Sequence, residues 1–117
     1  MRILVVDDNV AITMSMRILL AGAGHEVYVA NNAAVAMELA AAHAPEVAFL
    51  DLGLPQIDGF ELARRLRALP CGRAMGIVAV SGWGDAQTRA RAAAAGCDEH
   101  WHKPIGYAEL DAFLSRR

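Results

Sequence analysis

Val47-Ala48-Phe49-Leu50-Asp51-Leu52-Gly53-Leu54-Pro55 decides the fold. Four apolar residues run into one aspartate, and Gly53, Pro55 and Asp58-Gly59 follow at once. An apolar run bounded by turn residues reads as a strand buried on both faces. Asp51 then stands at the carboxyl edge of a sheet, where open α/β folds place their ligands. A turn or capping aspartate is the plain alternative, so Asp51 needs partners from elsewhere in the chain.

Those partners come from similar runs. Ile3-Leu4-Val5-Val6 ends in Asp7-Asp8-Asn9, and Gly76–Val80 ends in Ser81-Gly82. Glu26–Ala30 and Glu99–His102 read as two further strands, the latter leading into Lys103-Pro104. Between them lie helical patterns. The first, capped by Asn9, carries Ile12, Met16, Leu19 and Leu20 and stops at Gly22 and Gly24. The second, capped by Asn31 or Asn32, has Val35, Met37, Leu39 and Ala42 on or near its apolar side. The third, capped by Asp58, carries Phe60, Leu62, Leu66 and Leu69 inward, with Glu61, Arg64, Arg65 and Arg67 as a solvated face. The fourth starts at Asp85 and stops at Gly96, and the last runs from about Tyr107 to Leu114.

Five alternations of strand and helix imply a parallel sheet covered on both sides. The expected fold is α/β, flavodoxin-like (βα)5, a three-layer sandwich with strand order 2-1-3-4-5. The polar-tipped strands 1, 3 and 4 are then central. Asp7, Asp8, Asp51 and Ser81 meet in one cleft, with Lys103 arriving from strand 5.

The bulk numbers bound the rest. With 117 residues the chain suits one domain, 1–117, without a metal or disulfide staple. A net charge of −2 gives no general pull toward nucleic acid or acidic lipid. Cys71 and Cys97 form no C-x-x-C and read as reduced, structural thiols of a cytoplasmic protein. No signal peptide or membrane-length apolar run is present, so membrane insertion is not expected. The methionines read as core filler, Trp101 as edge-strand packing, and His25, His43 and His102 as surface or partly buried side chains.

Three carboxylates in one cleft repel each other unless a cation intervenes. Mg2+ takes oxygen ligands and typically binds through one or two carboxylates plus a phosphate. Lys103 adds a positive charge for a phosphoryl oxygen, and Ser81 a hydroxyl donor. A carboxylate can itself be the nucleophile and form an acyl phosphate, with positioning and charge supplying the catalysis.

Val5-Val6-Asp7-Asp8, Asp51-Leu52-Gly53-Leu54-Pro55 with Asp58-Gly59, Val80-Ser81-Gly82 and Lys103-Pro104 occur in this order along the chain. Over essentially its whole length the sequence resembles the receiver domain of two-component response regulators. The resemblance implies that Asp51 accepts a phosphoryl group from the phosphohistidine of a sensor histidine kinase or histidine phosphotransfer protein. It implies that Asp8, Asp51 and the backbone carbonyl of Gly53 ligate Mg2+ (or Mn2+), with Asp7 acting through water. Ser81 and Lys103 would contact the phosphoryl oxygens, and the Lys103–Pro104 peptide bond would be cis. Phosphorylation would switch the surface of helix 4, strand 5 and helix 5 toward a downstream protein partner. Such a chain is a phosphoacceptor and not a turnover enzyme.

The sequence also departs from the family pattern. His100 stands where a tyrosine or phenylalanine is frequent, and Ser81 where threonine is. Gly53 and Trp83 occupy positions that tune phosphoryl lifetime in this family. These variants look like receivers of hybrid sensor kinases; the chain is either a single-domain regulator or a portion of a longer one. His100 either joins Ser81 in the switch or stays outside as a partner contact. Among rivals, an aspartyl-nucleophile phosphatase of the haloacid dehalogenase kind wants an aspartate where Gly53 stands. A flavodoxin-like cofactor binder wants a first loop that attracts phosphate, and Asp7-Asp8 repels it. A degenerate receiver that only binds partners would have no use for the acids, Ser81 and Lys103.

Overall fold

The computed structural model describes residues 1–55, 57–82 and 84–117. Five strands, β1 (Arg2–Val6), β2 (Glu26–Ala30), β3 (Val47–Asp51), β4 (Gly76–Ser81) and β5 (Glu99–His102), alternate with five helices. The helices are α1 (Val10–Gly22), α2 (Ala33–His43), α3 (Gly59–Arg67), α4 (Ala86–Ala94) and α5 (Tyr107–Ser115). All strand pairs are parallel, in the expected order β2-β1-β3-β4-β5.

Strand periodicity divides the core into two layers. Leu4, Val6, Ala48, Leu50, Ile77 and Ala79 point to the side of α2, α3 and α4. Ile3, Val5, Val47, Phe49, Val78 and Val80 point to the side of α1 and α5. Every residue of β3 is buried, as its unbroken apolar run requires. Trp101 closes the second layer at the edge strand, edge-on to Phe113 at 5.7 Å and tilted against Phe49.

Asn9, Asn32, Asp58 and Asp85 cap α1 to α4, each accepting backbone N–H bonds of its helix. Asn32 is therefore the cap of α2, and Asn31 has another use described below. The face of α2 differs from the sequence expectation. Ala33, Ala36 and Ala40 are buried, Met37 and Leu39 are flanking, and Val35 and Ala42 are exposed. Small residues let the helix lie close on the sheet, so the larger ones are displaced to its edges. Leu19 and Met14 are also exposed, while Thr13 is buried in the core-facing row of α1.

Arg67 does not belong to the solvated face with Arg64 and Arg65. Its guanidinium turns in beneath α3 and donates to the carbonyls of Gly72, Met75 and Gly96 and to Asp98. Asp98 in turn accepts from the backbone N–H of Ile77 at 2.8 Å. One planar fork thus ties α3, the approach to β4 and the end of α4 together. Arg67→Ala is expected to cost about 2 kcal/mol, because several carbonyls lose a charged donor. Urea unfolding measures it, and an unchanged midpoint would show the fork to be dispensable.

Cys71 and Cys97 are free thiols. Burial pushes Cys97 up to about 11, so it stays protonated and unreactive. His43 is exposed and stacks on Tyr28 at 4.1 Å. No helix among the described residues is long and apolar enough to cross a membrane.

Candidate functional site

Parallel strands bring their carboxyl ends to one edge, and there the polar residues collect. Asp7 follows β1 and is buried, Asp8 beside it is exposed, and Asp51 ends β3 and is buried. Carboxylate oxygens of the three lie within 4.8 Å of one another. Lys103 Nζ reaches into the group, 3.0 Å from Asp7 Oδ2 and 3.4 Å from Asp51 Oδ1. The Lys103–Pro104 peptide bond is cis.

Several bonds fix the acids. Asp7 Oδ1 accepts from the backbone N–H of Asn9 at 2.9 Å, and Asp51 Oδ1 from that of Gly53 at 3.1 Å. Asn31 Nδ2 donates to the carbonyl of Asp7 and to Thr13 Oγ1, at 2.9 and 3.1 Å. Thr13 and Asn31 are positioning residues that the sequence reading missed. A polar residue in the row that also carries Met16 and Leu20 was the available signal.

Two carboxylates at this separation repel by roughly 3 kcal/mol at an effective dielectric near 20, and an ammonium at 3 to 3.4 Å attracts each by about 5. Lys103 therefore compensates Asp7 and Asp51 locally, and burial decides the balance. Burial is the largest influence on the Asp51 carboxyl. With the charge of Asp7 it raises the group above its ordinary value, against the Gly53 N–H and Lys103. For Lys103, burial works to lower the ammonium, but its bond to Asp7 and the charges of Asp51 and Asp7 outweigh it and hold it raised. Counting Asp8, the cluster carries three acids and one cation. An excess of oxygen donors at the surface suits a hard divalent ion.

Ser81 ends β4, one residue beyond Val80, the register partner of Asp51. It is buried, and its hydroxyl lies 2.8 Å from Nε2 of His100. Gly53 is exposed, and a Cβ built there would stand 3.6 Å from Asp51 Oδ1, so this side of the acid is open. Trp83 lies outside the described residues. An apolar groove of about 580 Å3 opens beside Asp7, Asp51 and Lys103, with Ile12, Met16, Ile105 and Leu110 in its walls.

The response regulator receiver domain profile matches residues 3–115. The transcriptional regulatory protein KdpE of Mycobacterium tuberculosis is 35% identical over 114 residues, covering 97% of this chain and 48% of that protein. A CheY-like response regulator receiver domain protein from Methanospirillum hungatei superposes with a TM-score of 0.90 at 29% identity, covering 98% of this chain and 90% of the other. A response regulator protein from Burkholderia pseudomallei, with a phosphorylated aspartic acid, calcium ion and citrate, gives a TM-score of 0.87 at 27% identity, covering 95% of this chain and 64% of that one. The chain belongs to the receiver domain family of two-component response regulators. Receiver domains are signalling modules, not turnover enzymes. The chain spans about half the length of KdpE.

Proposed function

We propose that residues 1–117 form a phosphoacceptor receiver domain of a cytoplasmic two-component phosphorelay. Asp51 takes a phosphoryl group from the phosphohistidine of a sensor histidine kinase or histidine phosphotransfer protein. The meeting of Asp7, Asp8 and Asp51 with Lys103 carries this reading. The Burkholderia relative, with its phosphorylated aspartic acid and calcium ion, supports the same chemistry here.

In the proposed step an Asp51 oxygen bonds to phosphorus as the phosphorus–nitrogen bond of the donor breaks. The electron pair of that bond stays on the imidazole nitrogen, and the product is an acyl phosphate. Gly53 N–H and Lys103 hold the attacking carboxylate in orientation. Lys103 and the Ser81 hydroxyl then bind phosphoryl oxygens. Asp8, Asp51 and the Gly53 carbonyl would hold Mg2+ (or Mn2+), with Asp7 reaching it through water. When bound, the ion neutralises the acids and the developing phosphoryl charge.

A protein donor fits the surface beside the site. Val10, Met14 and Ile18 are exposed and repeat every four residues, so they form an apolar ridge along α1. The downstream partner is expected on α4, β5 and α5, reached from the site through Ser81 and His100.

Incubation with acetyl phosphate and Mg2+, followed by intact-mass spectrometry, tests the reading. One phosphoryl group per chain, absent with chelator, is expected. Steady release of phosphate from generic phosphomonoesters would replace the phosphoacceptor with a phosphatase. Asp8→Ala is expected to raise the Mg2+ concentration needed for half-maximal labelling at least about ten-fold, since it removes a direct ligand. An unchanged requirement would take Asp8 out of the ligand set.

A further inference from the structure

Asn31 lies between β2 and α2, and its side chain reaches from that loop to the end of β1 and to α1. Nδ2 donates to the carbonyl of Asp7 at 2.9 Å and to Thr13 Oγ1 at 3.1 Å. A carbonyl can only accept, so the amide nitrogen and not its oxygen faces Asp7. Thr13 is 1% exposed, in the row of α1 that packs on the sheet. Its hydroxyl donates to the carbonyl of Val10 at 3.1 Å, so its proton is spent within the helix and its lone pairs are left for Asn31. A buried hydroxyl adds nothing to the apolar core around Met16 and Leu20. What it does here is hold the amide of Asn31.

The bond to Asp7 bears on the next residue. The Asp7 carbonyl and the Asp8 Cα lie in one peptide plane. Ala30 accepts from the Asp7 N–H at 3.2 Å and Asn31 holds the Asp7 carbonyl, so the end of β2 grips Asp7 on both sides. The Asp7 carboxylate is held separately, by Asn9 and Lys103. Asp8 is exposed, and the direction of its carboxylate comes from the backbone that carries it. We infer that Asn31, held by Thr13, is a positioning residue for the divalent ion: it fixes the Asp7–Asp8 peptide and so aims Asp8 into the acidic cluster. This rests on the reading of Asp8 as a direct metal ligand. Without the bond the peptide is free to turn, and ordering it when the ion binds costs affinity.

Mn2+ titration, with the unbound ion read by electron paramagnetic resonance, measures affinity without phosphoryl transfer. Asn31→Ala should bind Mn2+ about ten-fold more weakly than the wild type. Thr13→Val keeps the shape and removes the hydroxyl; it should bind about five-fold more weakly, one hydrogen bond's worth, while Thr13→Ser should bind as the wild type does. Melting in chelator checks that each variant is folded at the titration temperature. In the Asp8→Ala background, Asn31→Ala should weaken Mn2+ no further, since the residue it aims is gone. A merely structural amide would weaken both backgrounds alike. Wild-type affinity in Asn31→Ala, or an equal loss with and without Asp8, overturns the positioning role and leaves the phosphoacceptor reading standing. Should Asn31→Ala not fold, the Thr13 variants decide: equal affinities of Thr13→Val and Thr13→Ser overturn the role. Absence of Mn2+ binding by the wild type overturns the role and the proposed ligand set together.

Discussion

Asp51→Asn should lose all phosphoryl labelling and, without metal, should melt at a higher temperature than the wild type. The first effect follows from removing the proposed nucleophile. The second comes from the environment of the carboxylate. Burial and Asp7 raise the folded-state value of Asp51 above 3.8 despite Gly53 and Lys103. A raised carboxylate costs folding stability: the penalty grows as pH rises from 3.8 through the folded-state value, and it is complete above that. Above its folded-state value the wild type bears the whole penalty, and the neutral asparagine bears none. A gain on the order of 1 kcal/mol is expected, about 4 °C or more for a domain of this size. Mg2+ should raise the melting temperature of the wild type, because an ion held by the three acids would stabilise the folded state, and do much less for the variant. Calorimetry in chelator and in Mg2+, with mass spectrometry on the same samples, reads all of this. A variant that labels fully would move the acceptor elsewhere, and one that melts lower in chelator would show that Asp51 is stabilising.

The layers were legible because strand periodicity is short and unbroken, and the strand order because five strand–helix alternations under the right-handed crossover rule leave few topologies. Asp51 could be placed from its own nine residues, and Asp7, Asp8 and Ser81 from the ends of similar runs. The helices were harder. α1 carries apolar residues nearly all round, so Leu19 and Met14 could not be told from Met16 and Leu20 until the sheet fixed the buried side. On α2 the buried face is alanine, which periodicity ranks below Val35 and Leu39. Arg67 looks like its neighbours in sequence; only the tertiary approach of Gly72, Met75 and Gly96 gives it inward acceptors. His100 had two readings because the alternation in Glu99–His102 is short and lies at a sheet edge. A hydrogen-bond partner at the end of the neighbouring strand β4, Ser81, turns the ring inward.

Gly59→Ala is expected to damage stability and phosphoryl transfer together. Gly59 is the first residue of α3, directly after its cap Asp58. Its N–H donates to the carbonyl of Leu52 at 3.1 Å, which holds the helix start against the residues that follow β3. An added Cβ would stand 2.5 Å from Leu52 Cα and 2.6 Å from the Asp51 carbonyl oxygen. Both are backbone atoms, so no side chain can swing aside. In a free helix alanine would be favoured over glycine by about 1 kcal/mol. Here overpacking opposes that gain, and a net loss of roughly 3 kcal/mol is expected. The strain falls on Asp51 and Leu52, so it reaches the proposed acceptor itself. A displacement of the carboxylate approaching 1 Å would slow transfer by about a hundred-fold. Gly22→Ala is the control, since a Cβ on that helix residue meets nothing within 4 Å. Urea midpoints and acetyl phosphate labelling rates for both variants decide the matter. If Gly59→Ala unfolds and labels as the control does, the contact between α3 and the end of β3 is not what positions Asp51.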